Sequence, residues 1–254
     1  MKGIDLSHYQ EGLDLSNLKH GGYSFAILKL SEGRGIPDAS FDKFYDMAQA
    51  HNIPVGAYVF SHATNASVAQ AEAVYAIGLL KGRPLQLGVY MDIETTGQMQ
   101  IPKEQLKQTV IAFKDTINRA GYDFGIYGSE YNAWSRLSTD DFADCSIWVA
   151  HYGKAPEIPC DLWQQTKKGA FPGYYGAVDV DEAVSDRFKA LVSEPTPEPH
   201  EEKVYPVNVS IGALQLVMKE NGYWGEATGR YSPAFVAALR DFADGIELTW
   251  EGRK

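Results

Sequence analysis

The stretch VYMDIETTG, residues 89–97, begins as an apolar run suited to a buried strand. It ends by placing two carboxylates, Asp92 and Glu94, two residues apart. Charged groups are costly to bury unless they are paired or used. Side chains two apart on a strand point to the same face, roughly 6.6 Å apart along the backbone. Asp92 and Glu94 are therefore expected to project together, with Glu94 reaching one methylene further. Two carboxylates so placed repel, and the proton affinity of one of them should rise.

Runs of the same kind recur along the first part of the chain. They are GIDLS (3–7), FAILKLSEG (25–33), IPVGAYVF (53–60), LGVYMDIET (87–95), DFGIYGS (123–129), SIWVAHYG (146–153), DLWQQT (161–166) and AVDVD (177–181). Short, nearly continuous apolar runs suit strands covered on both faces, as in a parallel sheet. Helical patterns lie between several of them. Ser40 is placed to cap a helix with Phe41, Phe44, Tyr45 and Ala48 on one face, and residues 67–80 are alanine-rich. Pro102 suits a first helical position, followed by a stripe of Leu106, Val110, Phe113 and Ile117 and a stop at Gly121.

Strands alternating with helices predict a β/α barrel. The spacers between the last three strands are too short for helices, so the expected barrel is irregular. Working residues of such barrels lie at the carboxyl ends of the strands. Those ends carry Asp5, Glu32, the segment 58–62, Asp92 with Glu94, Tyr127, His151 with Tyr152, Gln164, and Asp179 with Asp181.

The chain of 254 residues divides at a Pro/Glu-rich seam. The expected parts are a barrel over 1–192, a linker over 193–203 and a small helical module over 204–254. In the last, Leu214, Val217 and Met218 share one helical face, and Ser232-Pro233 opens a second helix with Phe235, Val236, Leu239 and Phe242. A net charge of −10 argues against general nucleic-acid binding and gives no support for a charge-driven membrane contact. No run reaches the roughly 18 apolar residues of a membrane span, and no export signal is visible at the start. Cys145 and Cys160 are too few for a disulfide framework, and their pairing is left open. There is no H-E-x-x-H, G-x-S-x-G, Walker or dinucleotide motif.

Taken alone, the D-x-E pair fits several chemistries. A held proton beside an ionised carboxylate serves glycoside cleavage. The same pair could bind Mg²⁺ or Ca²⁺, or form a solvated turn.

The landmarks GIDLSHYQ, FAILKLSEG, IPVGAYVFSHAT, VYMDIE, IYGS, SIWVAHYG, DLWQQT and AVDVDEAV, in this order and spacing, resemble the glycoside hydrolase family 25 lysozymes. The resemblance implies an irregular β/α barrel that cleaves the β-1,4 bond after N-acetylmuramic acid in bacterial peptidoglycan, without metal or cofactor. Carried over by position, Glu94 is the general acid and Asp92 its partner, with Asp5 and Asp179 completing an acidic mouth. Tyr58, Phe60, Tyr127, Trp148, Tyr152, Trp163 and Gln164 would line the sugar groove. Asp181 would be a polar neighbour of the last strand's acid, where the family often has Asn. One departure is Tyr58-Val59-Phe60, where the family often reads Tyr-His-Phe.

The C-terminal pattern is similar to peptidoglycan-binding helical modules, with self-association as the other reading. Together these features lead to the expectation of a phage endolysin, made in the host cytoplasm and released through a holin lesion. A chitinase-like glycosidase and a catalytically silent wall-binding protein remain the alternatives.

Overall fold

The computed structural model describes residues 1–193 and, beyond them, Leu214, Gln215, Met218 and Lys219, which are helical. The expected linker and the rest of the C-terminal module, with its proposed wall-binding or self-associating role, lie outside the described residues.

The chain runs through β1 (Lys2–Leu6), β2 (Phe25–Glu32), β3 (Ile36–Pro37), α1 (Phe41–Ala50), β4 (Val55–Phe60), α2 (Ala66–Leu80) and β5 (Val89–Asp92). It continues through α3 (Thr96–Gln100), α4 (Lys103–Arg119), β6 (Phe124–Ser129), β7 (Ser146–Ala150), β8 (Leu162–Phe171), β9 (Tyr174–Ala183) and α5 (Asp186–Ser193). The strands stand in the order β1-β9-β8-β7-β6-β5-β4-β2-β3, and β1 also pairs with β2. That extra pairing closes a barrel of eight strands, leaving β3 as an edge on β2.

The expected helices form where their apolar stripes lie. Phe41, Phe44, Tyr45 and Ala48 of α1 are buried, as are Leu106, Val110, Phe113 and Ile117 of α4. Asn65 caps α2 by accepting the Val68 N–H at 3.1 Å, and α2 packs along α4. Ser40 holds the cap position of α1 without a side-chain cap bond. Helices are absent from more connections than expected. The links after β1 and β6 carry only short 3₁₀ turns.

One expectation needs correcting. The runs suggested parallel strands throughout, but β9 is antiparallel to both β8 and β1. The cause is the connection: only Pro172 and Gly173 separate β8 from β9, which suffices for a hairpin and not for a crossover. The mouth of the barrel therefore meets the middle of β9, at Asp179, and not its carboxyl end. Beyond Gln164 the hairpin leaves the barrel and curls over the segment between β1 and β2. Tyr23 stacks on Phe171 with centroids 6.0 Å apart and donates its hydroxyl to the Ala170 carbonyl at 2.8 Å. Hairpin and segment cover the outside of β1 and β9 in place of helices.

Inside the barrel, strand alternation turns Phe25, Ile27, Tyr90, Tyr127, Trp148 and Leu162 inward into one apolar cluster. Glycines make room for the rings. A Cβ on Gly3 would lie 2.3 Å from the Phe25 ring, and one on Gly125 would lie 2.2 Å from Tyr90. The lower end is stoppered by α5, whose Phe188 meets Phe25 edge-on at 5.5 Å. Asp161 anchors that helix, accepting from the Ser185 hydroxyl at 2.6 Å, the Arg187 guanidinium at 2.6 Å and the Ile147 N–H at 2.9 Å. Phe188→Ala should empty the stopper and lower stability by about 3–5 kcal/mol. Urea unfolding checks it, and a loss below about 1 kcal/mol would mean that α5 lies outside the cooperative unit.

Candidate active site

With its lower end filled, the barrel opens only upward. The mouth is a cleft of about 330 Å³ lined by Asp5, Ser7, Tyr9, Gln10, Lys29, Glu32, Tyr58, Phe60, Asp92, Glu94, Tyr127, Trp148, Gln164 and Asp179. Strand register brings sequence-distant acids together. Asp5 on β1 lies directly opposite Asp179 on β9, and Asp92 on β5 pairs with Phe60 on one side and Tyr127 on the other.

Asp92 and Glu94 share the cleft but not the environment. Strand β5 ends at Asp92, whose side chain is buried on the floor. Glu94 lies beyond the strand end, in the turn before α3, and is exposed. Asp92 Oδ1 is cut off from solvent and accepts no hydrogen bond. Burial, then the charges of Glu94 and Asp5, hold the Asp92 carboxyl well above the usual range, with Lys29 opposing. For Glu94, partial desolvation and then Asp179 raise the carboxyl, while the Tyr127 hydroxyl and Lys167 pull it down.

Gln164 ties the other acids together. Its Nε2 donates to Asp5 Oδ2 at 2.8 Å and to Asp179 Oδ2 at 3.5 Å. Its Oε1 accepts the hydroxyls of Tyr127 at 2.8 Å and Tyr152 at 2.9 Å. The amide is thus engaged on both sides. Asp5 is pushed up to about 8 by burial and then by Asp179, against the Gln164 hydrogen bond. Asp179 is raised by desolvation and lowered by Lys167.

Trp148 forms the floor. Tyr127, Tyr90 and Tyr58 meet its ring edge-on at 4.4, 5.3 and 6.3 Å. Its indole N–H donates to Asp181 Oδ1 at 2.9 Å.

Most of the residues expected at the groove thus converge: Tyr58, Phe60, Tyr127, Trp148 and Gln164 line the cleft with the four acids. Tyr152 stands at its rim, half exposed, joined to it through Gln164. Two expected residues lie elsewhere. Trp163, next to Gln164, faces the opposite side of β8 and donates its N–H to the His151 carbonyl at 2.7 Å. Asp181 is fully buried one layer below the cleft, because β9 runs downward from Asp179.

Lys29 was not singled out beforehand. It lines the cleft, donates to Glu32 Oε2 at 3.2 Å and lies over the Phe60 ring at 5.1 Å. Alternation in FAILKLSEG, which puts position 29 on the face of Phe25 and Ile27, is the signal that could have found it. Ser7, Tyr9 and Gln10 come from the 3₁₀ turn after β1, which the Ser7–Gln10 capping box fixes. Among the described residues no three His, Cys, Asp or Glu side chains are grouped as cation ligands. None of their helices is long and apolar enough to cross a membrane, and Cys145 and Cys160 are free thiols.

Barrel and mouth together define a β/α-barrel protein with a carboxylate-lined cleft. Residues 4–174 match glycosyl hydrolases family 25, and the chain belongs to that family. It is 28% identical over 185 residues to the autolytic lysozyme of Clostridium acetobutylicum, covering 72% of this chain and 55% of that one. It is 31% identical over 198 residues to lysozyme M1 of Streptomyces globisporus, covering 70% and 66%. The crystal structure of the CTP1L endolysin superposes with a TM-score of 0.66 at 25% identity, covering 75% of this chain and 68% of that one. The chain thus spans between about half and two thirds of the length of these two curated relatives.

Gln164→Leu should strand the groups that the amide now serves, at about 1–3 kcal/mol for each one left unpaired. Thermal unfolding would register the loss. An unchanged melting temperature would mean that water replaces the amide.

Proposed function

We propose that this protein is a muramidase that hydrolyses the β-1,4 bond between N-acetylmuramic acid and N-acetylglucosamine in peptidoglycan. Family membership and the lysozyme relatives support the substrate class. The observation that carries the mechanism is the pair at one strand end: an exposed Glu94 just beyond a buried Asp92, both lining the cleft. Glu94 can touch a leaving oxygen in the cleft, and Asp92 can receive what lies beneath it.

In this reading the 2-acetamido N–H of the muramic residue donates to the Asp92 carboxyl where it lines the cleft, turning the acetamido oxygen toward C1. That oxygen forms a bond to C1 as the glycosidic C1–O bond breaks, and the Glu94 proton passes to the departing sugar. Glu94, now ionised, takes a proton from water, whose oxygen attacks C1 and reopens the ring with net retention. Substrate assistance of this kind is a known exception to the two-carboxylate scheme. The charge of Asp179 supplies the negative potential that favours the cationic ring. An endolysin setting, with release through a separate membrane lesion, is the cellular context we propose. The likeness to an endolysin structure supports it.

Purified peptidoglycan incubated with the protein should yield reducing muramic acid, identified by mass spectrometry. Glu94→Gln should cut the rate by about 100-fold or more. Reducing glucosamine from the wild type, or equal cleavage by the variant, would overturn the assignment.

The pH profile gives a second test. Glu94 must carry a proton, and the charge of Asp179 raises its affinity for one. Removing that charge in Asp179→Asn lowers the affinity, so the alkaline limb of kcat/KM should move to lower pH. A limb that stays in place would mean that another group is the acid.

A further inference from the structure

Asp181 has no exposed surface and lies outside the cleft, beneath Asp5 and Asp179. Its Oδ1 accepts the Trp148 indole N–H. Its Oδ2 is equally shut off from solvent and receives no hydrogen bond. In the β9–β1 ladder Asp181 opposes Gly3 while Asp179 opposes Asp5, so Asp181 sits on the diagonal from Asp5. The two carboxyls are within hydrogen-bonding reach.

Two ionised carboxylates cannot bond to each other, because each only accepts. An ionised Asp181 would leave a charged oxygen buried without a donor, which is strongly unfavourable. One proton on Oδ2 removes the charge and turns the orphan oxygen into a donor aimed at Asp5. The groups that face Asp181 are Asp5 on β1, Asp179 on its own strand, Gln164 on β8, Trp148 on β7 and Tyr90 on β5. None of them is a cation that would favour the ionised form.

We propose that Asp181 works as a neutral carboxylic acid whose proton is donated in a hydrogen bond to Asp5, making it a positioning residue for the acids of the cleft. Burial, and then the charge of Asp5, hold the Asp181 carboxyl well above the usual range, in keeping with this. Asp5 is left as the member of the pair that titrates near neutrality, at about 8.

The two protonation states of Asp181 predict opposite signs for the titration of Asp5. This can be read by carbon NMR of aspartate-labelled protein, without any substrate. A neutral donor is replaced by the amide of Asp181→Asn, so the Asp5 midpoint should stay within about 0.3 pH units of wild type, whereas Asp181→Leu removes the donor and should raise it. An ionised Asp181 would instead give a fall of about one unit or more in Asp181→Asn, as a like charge is lost. That fall would overturn the proposal. Should the leucine variant not fold, the asparagine titration decides alone.

The kinetic arm rests on the muramidase reading. Asp181→Leu should lower kcat about tenfold or more with KM within about twofold, and Asp181→Asn should restore most of the loss. Equal loss of kcat in both variants would refute the positioning role. Absence of turnover in the wild type would refute the muramidase reading and leave the NMR result standing.

Discussion

The edge-on packing of tyrosines around Trp148 is the constraint on which the site depends. An eight-stranded barrel has an interior that side chains can just fill. Here the filling is aromatic below and carboxylate above, and Trp148 is the boundary. Its ring faces the tyrosines, while its N–H is spent on Asp181. Gly3 and Gly125 give the rings beneath it their space. The acids of the mouth therefore stand on a floor that excludes water from below and leaves it only the open side. That low-dielectric setting is why the proton affinities of Asp5, Asp92, Glu94 and Asp179 rise, led by burial in each and reinforced by neighbouring acids in the first three.

The cleft combines this repulsion with very little compensation. Its lining holds five acids and a single lysine, Lys29. Neutral donors do the rest: Gln164 on Asp5 and Asp179, and Trp148 on Asp181. Such donors orient carboxyls without fixing their charge, so the mouth retains protons that a cation-rich site would expel. A site that must deliver a proton and then stabilise positive charge needs this balance.

Much of this was legible in the sequence. Short apolar or aromatic runs, several ending in polar residues, marked the eight barrel strands, and helical stripes such as Leu106–Ile117 marked the helices that cover them. Asp5, Asp92, Glu94 and Asp179 could be expected at one mouth because strand ends in a barrel converge. The depth of each residue was not legible. VYMDIET has no mark showing that the strand stops at Asp92, so the split between a buried Asp92 and an exposed Glu94 appears only in three dimensions. The alternation in AVDVD carries no strand direction, which hid the reversal of β9 and the sinking of Asp181. Trp163 illustrates the same difficulty on β8, where one step along the strand separates a groove residue from one facing away. Lys29 belongs to no catalytic motif, and only its alternation with Phe25 and Ile27 places it inward.

The hairpin that reverses β9 also sets when the molecule can become whole. Its second strand docks between β8 and β1, so the seam of the barrel joins residues from opposite ends of the domain. Contacts of such sequence separation form late and slowly, because the intervening chain must be ordered first. The pair that completes the seam, Asp5 and Asp179, also completes the acidic mouth. A nascent or shortened chain that lacks the hairpin would hold an open, unzipped sheet whose mouth lacks Asp179. Closure of the fold and assembly of the cleft are therefore one event, and no partly folded form carries a finished site.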